Sequence, residues 1–178
     1  MRKPPHVIEI FLNPGEYYFG DRDTRIRTIL GSCVSITLWH PELLIGGMCH
    51  YMLPNRSGRG TKTADGKYAD EALGLLFEEI RRSGTALEEY QVKLFGGGNM
   101  FHRQLGATQT HIGIRNADAG RELVKHHGLR LAAEDLGGAG HRTVLFDIWS
   151  GHVWVRQLAT QPAEQCTDRK SGASCRHV

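Results

Sequence analysis

Cys33 and His50 are the residues whose types and spacing could do chemistry in this chain. A small-residue turn, Gly31-Ser32, stands directly before Cys33. Two apolar runs follow, residues 34–39 and 44–48, split by His40-Pro41-Glu42, and the second run continues to His50. Apolar runs of this length bounded by turn residues predict two strands joined as a hairpin. Antiparallel neighbours bring their outer ends together, so a thiol opening the first strand would meet an imidazole closing the second. A thiol and an imidazole are the minimum set for nucleophilic acyl chemistry. The thiol would attack an amide carbon, and the imidazole would take its proton and return it to the leaving amine. A free thiol titrates near ~8.5, so the pair is expected to rest as thiolate and imidazolium. Backbone N–H groups around Gly31, Ser32 and Cys33 are the candidates for holding the oxyanion. Against this, a cysteine in an apolar strand is ordinarily a small core residue, and single-residue motifs transfer poorly between families.

Two other chemistries fit less well. A zinc site would have to combine Cys33, Cys49 and His50 with Cys166, Cys175 and His177, and those spacings match no compact ligand pair. Side chains alternate along a strand, so if His50 faces Cys33 then Cys49 faces away, into the core. The triple glycine Gly96-Gly97-Gly98 invites a phosphate loop, but no Lys-Ser or Lys-Thr pair follows it. It reads better as a turn needing positive φ or close approach of another chain. No metal and no cofactor is expected.

The elements that must position the pair are mostly strands. Short strands are expected over 7–11 and 16–19, then over the approach to Gly31, and later over 91–95, 129–136, 142–148 and 152–155. Residues 68–82 make the clearest helix, with Ala69, Ala72, Leu73, Leu76 and Ile80 on one face. A second helix is expected over 117–127, with Asn116 as its N-cap. Residues 55–66, rich in Gly, Ser, Arg and Lys, predict a mobile surface loop beside the site. Strands dominate without regular alternation with helices, which argues for an α+β fold.

The 178 residues suit one domain, expected over 1–158, and an apolar share of 40% can fill its core. The segment 159–178 is polar and is expected to be a disordered tail. No apolar stretch approaches the roughly 20 residues a membrane span needs, and no signal segment follows Met1, so a cytoplasmic protein with reduced cysteines is expected. The net charge of +3 is scattered, with no basic stripe interleaved with aromatics, which speaks against nucleic acid as partner.

Several motifs in order resemble the CheD family of chemotaxis protein-glutamine deamidases. They are Leu30-Gly31-Ser32-Cys33-Val34, Gly47-Met48-Cys49-His50-Tyr51-Met52-Leu53-Pro54 and Lys67-Tyr68-Ala69-Asp70. Phe95-Gly96-Gly97-Gly98-Asn99-Met100-Phe101, Ile112-Gly113-Ile114-Arg115-Asn116 and Gly137-Gly138-Ala139-Gly140-His141-Arg142 follow. The resemblance spans roughly residues 16–156. It implies a β-sandwich with helices packed on one side, similar to the catalytic domains of deamidating bacterial toxins. It implies deamidation of glutamines on methyl-accepting chemotaxis receptors by Cys33 and His50 through a thioester, and a CheC-type phosphatase as a further partner. It also implies a third catalytic residue, a threonine upstream of the cysteine. Thr28 is the nearest; in one branch of the family the threonine lies one residue further away, where this chain has Arg27. As a β-branched residue Thr28 also suits a strand with no further role. Two other activities remain open beside deamidation. One is a non-catalytic module that regulates the phosphatase, and the other is hydrolysis of receptor glutamate methyl esters through the same acyl intermediate.

Overall fold

A computed structural model describes residues 3–56, 63–100, 110–158 and 174–177. The alternation of apolar residues seen in the sequence becomes two sheets. One has the order β1 (Ile8–Phe11), β3 (Thr24–Leu30), β8 (His141–Asp147), β9 (His152–Leu158) and β10 (Ser174–His177). The other has the order β2 (Tyr17–Gly20), β5 (Ile45–Tyr51), β4 (Val34–His40), β6 (Gln91–Gly96) and β7 (Arg130–Leu136). Two helices, α1 (Ala69–Arg82) and α2 (Thr110–His126), cover the outer face of the second sheet. The result is the expected α+β sandwich with helices on one side.

Two cores follow from the period-two alternation of β4 and β5. Val34, Ile36, Leu38, Cys49 and Tyr51 pack under the helices against Ala72, Leu73, Leu76 and Ile80 of α1. Met48, on the opposite face of β5, joins Ile26 and Leu30 of β3 with Phe95, Val144 and Phe146 between the sheets. Burying a Leu or Ile side chain in this way contributes roughly 1.5–3 kcal/mol. Helix α1 carries Asp70 and Glu71 in its first turn and Arg81 and Arg82 in its last, which complements the helix dipole. Gly84, at φ 74, takes the chain out of it.

Two departures from the sequence reading concern the edges of the domain. Ser174–His177, within the segment expected to be disordered, pairs antiparallel with β9; residues 159–173 lie outside the described residues. Of the loop expected to be mobile, 57–62 lie outside them too, while its flanks are tied down. Arg56 makes a bidentate pair with Glu71, at 2.8 and 2.9 Å, and the Asp65 N–H donates to the same carboxylate.

A third departure is a correction. Asn116 does not cap α2; the helix begins at Thr110 and Asn116 lies inside it. Gly113 obscured the start, because glycine weakens a helical pattern. It is there for space: a Cβ at Gly113 would stand 2.6 Å from the Gly97 carbonyl oxygen. The Asn116 side chain turns into the protein, where tertiary hydrogen bonds outweigh the local preference for a cap.

Candidate active site

The site lies at one end of the sandwich, where the turn after β3 meets the end of β5. In the β4–β5 ladder Ser35 stands opposite His50. Cys33 is two residues ahead of Ser35, which makes it the diagonal neighbour of His50. Diagonal positions in such a ladder stand roughly 7–8 Å apart, within reach of two side chains. His50 follows Met48 onto the face between the sheets, while Cys49 is wholly buried on the helix side, as strand alternation requires. Cys33 packs against the inter-sheet core and is half-buried. The two cysteines are therefore separated by the sheet, which removes them as joint ligands of one ion.

Thr28 reaches His50 from the other sheet. It alternates with Ile26 and Leu30 on the inner face of β3 and is fully buried. Its Oγ1 lies 2.8 Å from the His50 Nδ1 and 2.8 Å from the Leu12 carbonyl oxygen. A carbonyl can only accept, so the Thr28 hydroxyl proton goes to Leu12. Oγ1 then accepts from Nδ1–H, and the lone pair of the imidazole sits on Nε2. Nε2 is buried without a hydrogen-bond partner, so no hydrogen bond joins it to Cys33 Sγ in this state. Catalytic hydrogen bonds often tighten only around substrate. The strand end that carries the ring is itself fixed: the His50 N–H donates to the Glu16 carbonyl at 2.9 Å, and the Gly15 N–H donates to the His50 carbonyl at 2.7 Å.

The electrostatics differ from the expected ion pair. Burial pulls the His50 pKa down from 6.5 to about 4, with the Leu12 carbonyl and the Glu16 carboxylate acting the other way. Burial likewise pushes the Cys33 thiol up, opposed by its own backbone N–H. Both groups favour their neutral forms because a half-dry site penalises either charge. Burial therefore works against the thiolate and imidazolium that the sequence led us to expect.

All three carbonyls of the Gly31-Ser32-Cys33 turn have a donor. Gly98 N–H donates to Gly31 at 2.8 Å and Gly97 N–H to Cys33 at 2.8 Å. Asn116 Nδ2 donates to Ser32 at 3.0 Å and also to Met52, just beyond His50, at 2.7 Å. In a trans peptide the C=O and the next N–H point in opposite directions. Pinning the Gly31 and Ser32 carbonyls inward therefore aims the Ser32 and Cys33 N–H groups the other way.

The glycine motifs form the scaffold behind this turn. At Gly96, φ is +119, and a Cβ there would lie 2.2 Å from the Cys33 carbonyl oxygen, so the triple glycine serves close approach of another chain segment. A second glycine turn supports the first: Asn99 N–H donates to Gly138 at 2.7 Å and Gly137 N–H to Gly96 at 2.8 Å. Arg142, fully buried, braces that second turn through the Asp135 carboxylate at 2.6 Å and the Asp135 and Gly137 carbonyls. Beside Met52, the residues Leu53, Pro54, Asn55, Tyr68, Ile112 and Arg115 line a surface groove. Of the expected site residues, the structure brings Cys33, His50, Thr28, Ser32 and Gly31 to one end of the fold. Sequence reasoning missed Leu12 and Asn116 as parts of the site; only Asn116 lay within a motif that was singled out.

A family model described as CheD chemotactic sensory transduction matches residues 52–157, more than half of the chain. A protein of Pseudomonas savastanoi pv. phaseolicola is 49% identical over 96% of this chain and 97% of its own length. One of Pseudomonas fluorescens is 52% identical over 88% of each chain. This chain belongs to the CheD family. A more distant member, from Leptospira interrogans, is 41% identical over 87% of this chain and 96% of its own. All three relatives are named as probable chemoreceptor glutamine deamidases, that is, amide hydrolases. Among the described residues of this CheD-family chain, no helix is long and apolar enough to cross a membrane.

Proposed function

We propose that this protein is a chemoreceptor glutamine deamidase that works in the cytoplasm through a Cys33 thioester. The observation that carries the reading is the relay Leu12 carbonyl–Thr28–His50, which leaves a lone pair on Nε2 beside the Cys33 turn. Sγ attacks the side-chain amide carbon of a receptor glutamine while Nε2 takes the thiol proton. The tetrahedral oxyanion is received by the Ser32 and Cys33 N–H groups. The imidazolium gives its proton to the leaving nitrogen, ammonia departs, and a thioester remains. Water, deprotonated by Nε2, attacks the thioester and releases glutamate and the thiol. Thr28 holds the ring in the tautomer this cycle needs, the role of the third member in hydrolase triads. The groove from Leu53 to Arg115 is where the receptor segment lies.

The deciding experiment is intact-mass analysis of a receptor cytoplasmic fragment incubated with the protein. Each converted glutamine adds about 1 Da, the difference between amide and acid expected for this reaction class. A fragment whose mass does not change removes the deamidase reading. A parallel reaction on a methylated fragment separates the esterase, which would act on the ester and spare the amide.

Thr28→Val keeps the β-branched shape and removes the hydroxyl. Its kcat is expected to fall about 10- to 100-fold, at or below the low end of what a positioned acid–base group contributes, because the hydroxyl orients the base and is not itself the base. Thr28→Ser should keep most of the activity. Equal losses in both variants would show that packing, and not the hydroxyl, is what matters.

A further inference from the structure

The side chain of Asn116 joins the two halves of the site, although it belongs to a helix on the outer face of the sheet. It is fully buried. Its two amide hydrogens go to the carbonyls of Ser32 and Met52, at 3.0 and 2.7 Å. Because both acceptors are carbonyls, the NH2 group must face them, which settles the orientation of the amide. Its Oδ1 is buried and has no partner. An unmade bond of this kind costs about 1–3 kcal/mol, so the side chain is held there for its two donors. Tyr51 fixes the helix backbone at the same point, its hydroxyl donating to the Asn116 carbonyl at 2.7 Å.

We infer that Asn116 is a positioning residue for the oxyanion site: by binding the Ser32 carbonyl it aims the Cys33 N–H, and by binding Met52 it sets the spacing to His50. The inference rests on the deamidase reading above. The Gly31 and Cys33 carbonyls are held by backbone N–H groups of the Gly97-Gly98 turn, which side-chain substitution leaves in place. The Ser32 carbonyl depends on the Asn116 side chain. Without it the Ser32–Cys33 peptide can rotate, and its N–H leaves both the oxyanion position and the thiol that it stabilises as thiolate.

Two variants and two readouts test this. In Asn116→Ala, kcat on the receptor fragment is expected to fall about 10- to 100-fold with KM changed less than threefold, somewhat less than outright deletion of an oxyanion donor. The pH midpoint for alkylation of Cys33 by iodoacetamide, measured without receptor, should move upward. Asn116→Asp is nearly isosteric and serves if the alanine variant does not fold. As a carboxylate it faces two carbonyls with no proton to give. As a carboxylic acid it regains one donor, and burial raises the pH at which that happens. Its activity relative to wild type should therefore rise as pH falls from 7 to 5, a recovery that Asn116→Ala does not show. Wild-type kcat in either folded variant, a loss carried by KM alone, or an unmoved alkylation midpoint in Asn116→Ala overturns the inference. Those outcomes leave the deamidase reading standing, whereas an inert wild-type protein removes the reading itself.

Discussion

Cys33→Ala is expected to abolish receptor deamidation and leave the fold intact. The loss should be on the order of 10⁶-fold, as when the nucleophile of a hydrolase triad is removed, since neither the oxyanion donors nor His50 can form the thioester. The fold should survive because the turn is held through its carbonyls, which are backbone atoms, by Gly98, Asn116 and Gly97. Only the contacts of a half-buried Sγ with the inter-sheet core are lost. A deficit of about 1 kcal/mol would lower Tm by roughly 2–4 °C in a chain of this size. Thermal unfolding and intact-mass turnover check the two halves separately. Unchanged turnover in the purified variant would rule Cys33 out as nucleophile. A variant that does not fold would mean that the thiol is a core residue first.

The placement of Cys33 diagonally across from His50 was legible because it depends on one hairpin, and hairpin geometry follows from two apolar runs and the turn between them. The direction of Cys49 followed from the same alternation. The helices were legible where apolar spacing was regular, as in α1. The glycine clusters could be read as backbone devices but not placed, since nothing local says which segments approach one another. In the fold they stack behind the Cys33 turn, 137–140 on 96–99 and 96–98 on 31–33, with Arg142 at the base.

What the sequence could not supply are contacts across layers. Thr28 and His50 come from different sheets, so neither periodicity nor spacing relates them; only the packing of β3 over β5 brings them to 2.8 Å. Leu12 takes part through its carbonyl, which any residue type provides. Asn116 carried a misleading local signal, because asparagine near a helical pattern reads as a cap. The expected charge state of the site left out burial for a related reason. Two nearby groups were expected to ionise each other, but burial is a property of the whole fold, and here it favours both neutral forms.

His50→Ala is expected to be nearly as inactive as Cys33→Ala, and the double variant little worse than either, because residues acting as one unit are not additive. The pH behaviour then tells a neutral pair from an ion pair. With the His50 pKa near 4, the imidazole stays a competent base well below the ordinary 6.5, so the acid limb of kcat/KM should fall between pH 4 and 5. Stability shares this dependence. The unfolded chain binds a proton near pH 6.5 while the folded chain resists until about 4. The contribution of neutral His50 is therefore whole above pH 6.5 and is lost as pH falls through 4, a span on the order of 3 kcal/mol. Denaturant midpoints measured from pH 7 to 4 should fall for the wild type and fall less for His50→Ala. Alkylation of Cys33 by iodoacetamide should show a midpoint above the free-thiol value of about 8.5, hardly moved by His50→Ala. Cys49, whose pKa burial pushes up to about 12, serves as the unreactive control. A Cys33 midpoint well below the free-thiol value that rises in His50→Ala would mean that the thiolate and imidazolium exist before substrate arrives. The proton transfer assigned here to the attack step would then belong to the resting enzyme.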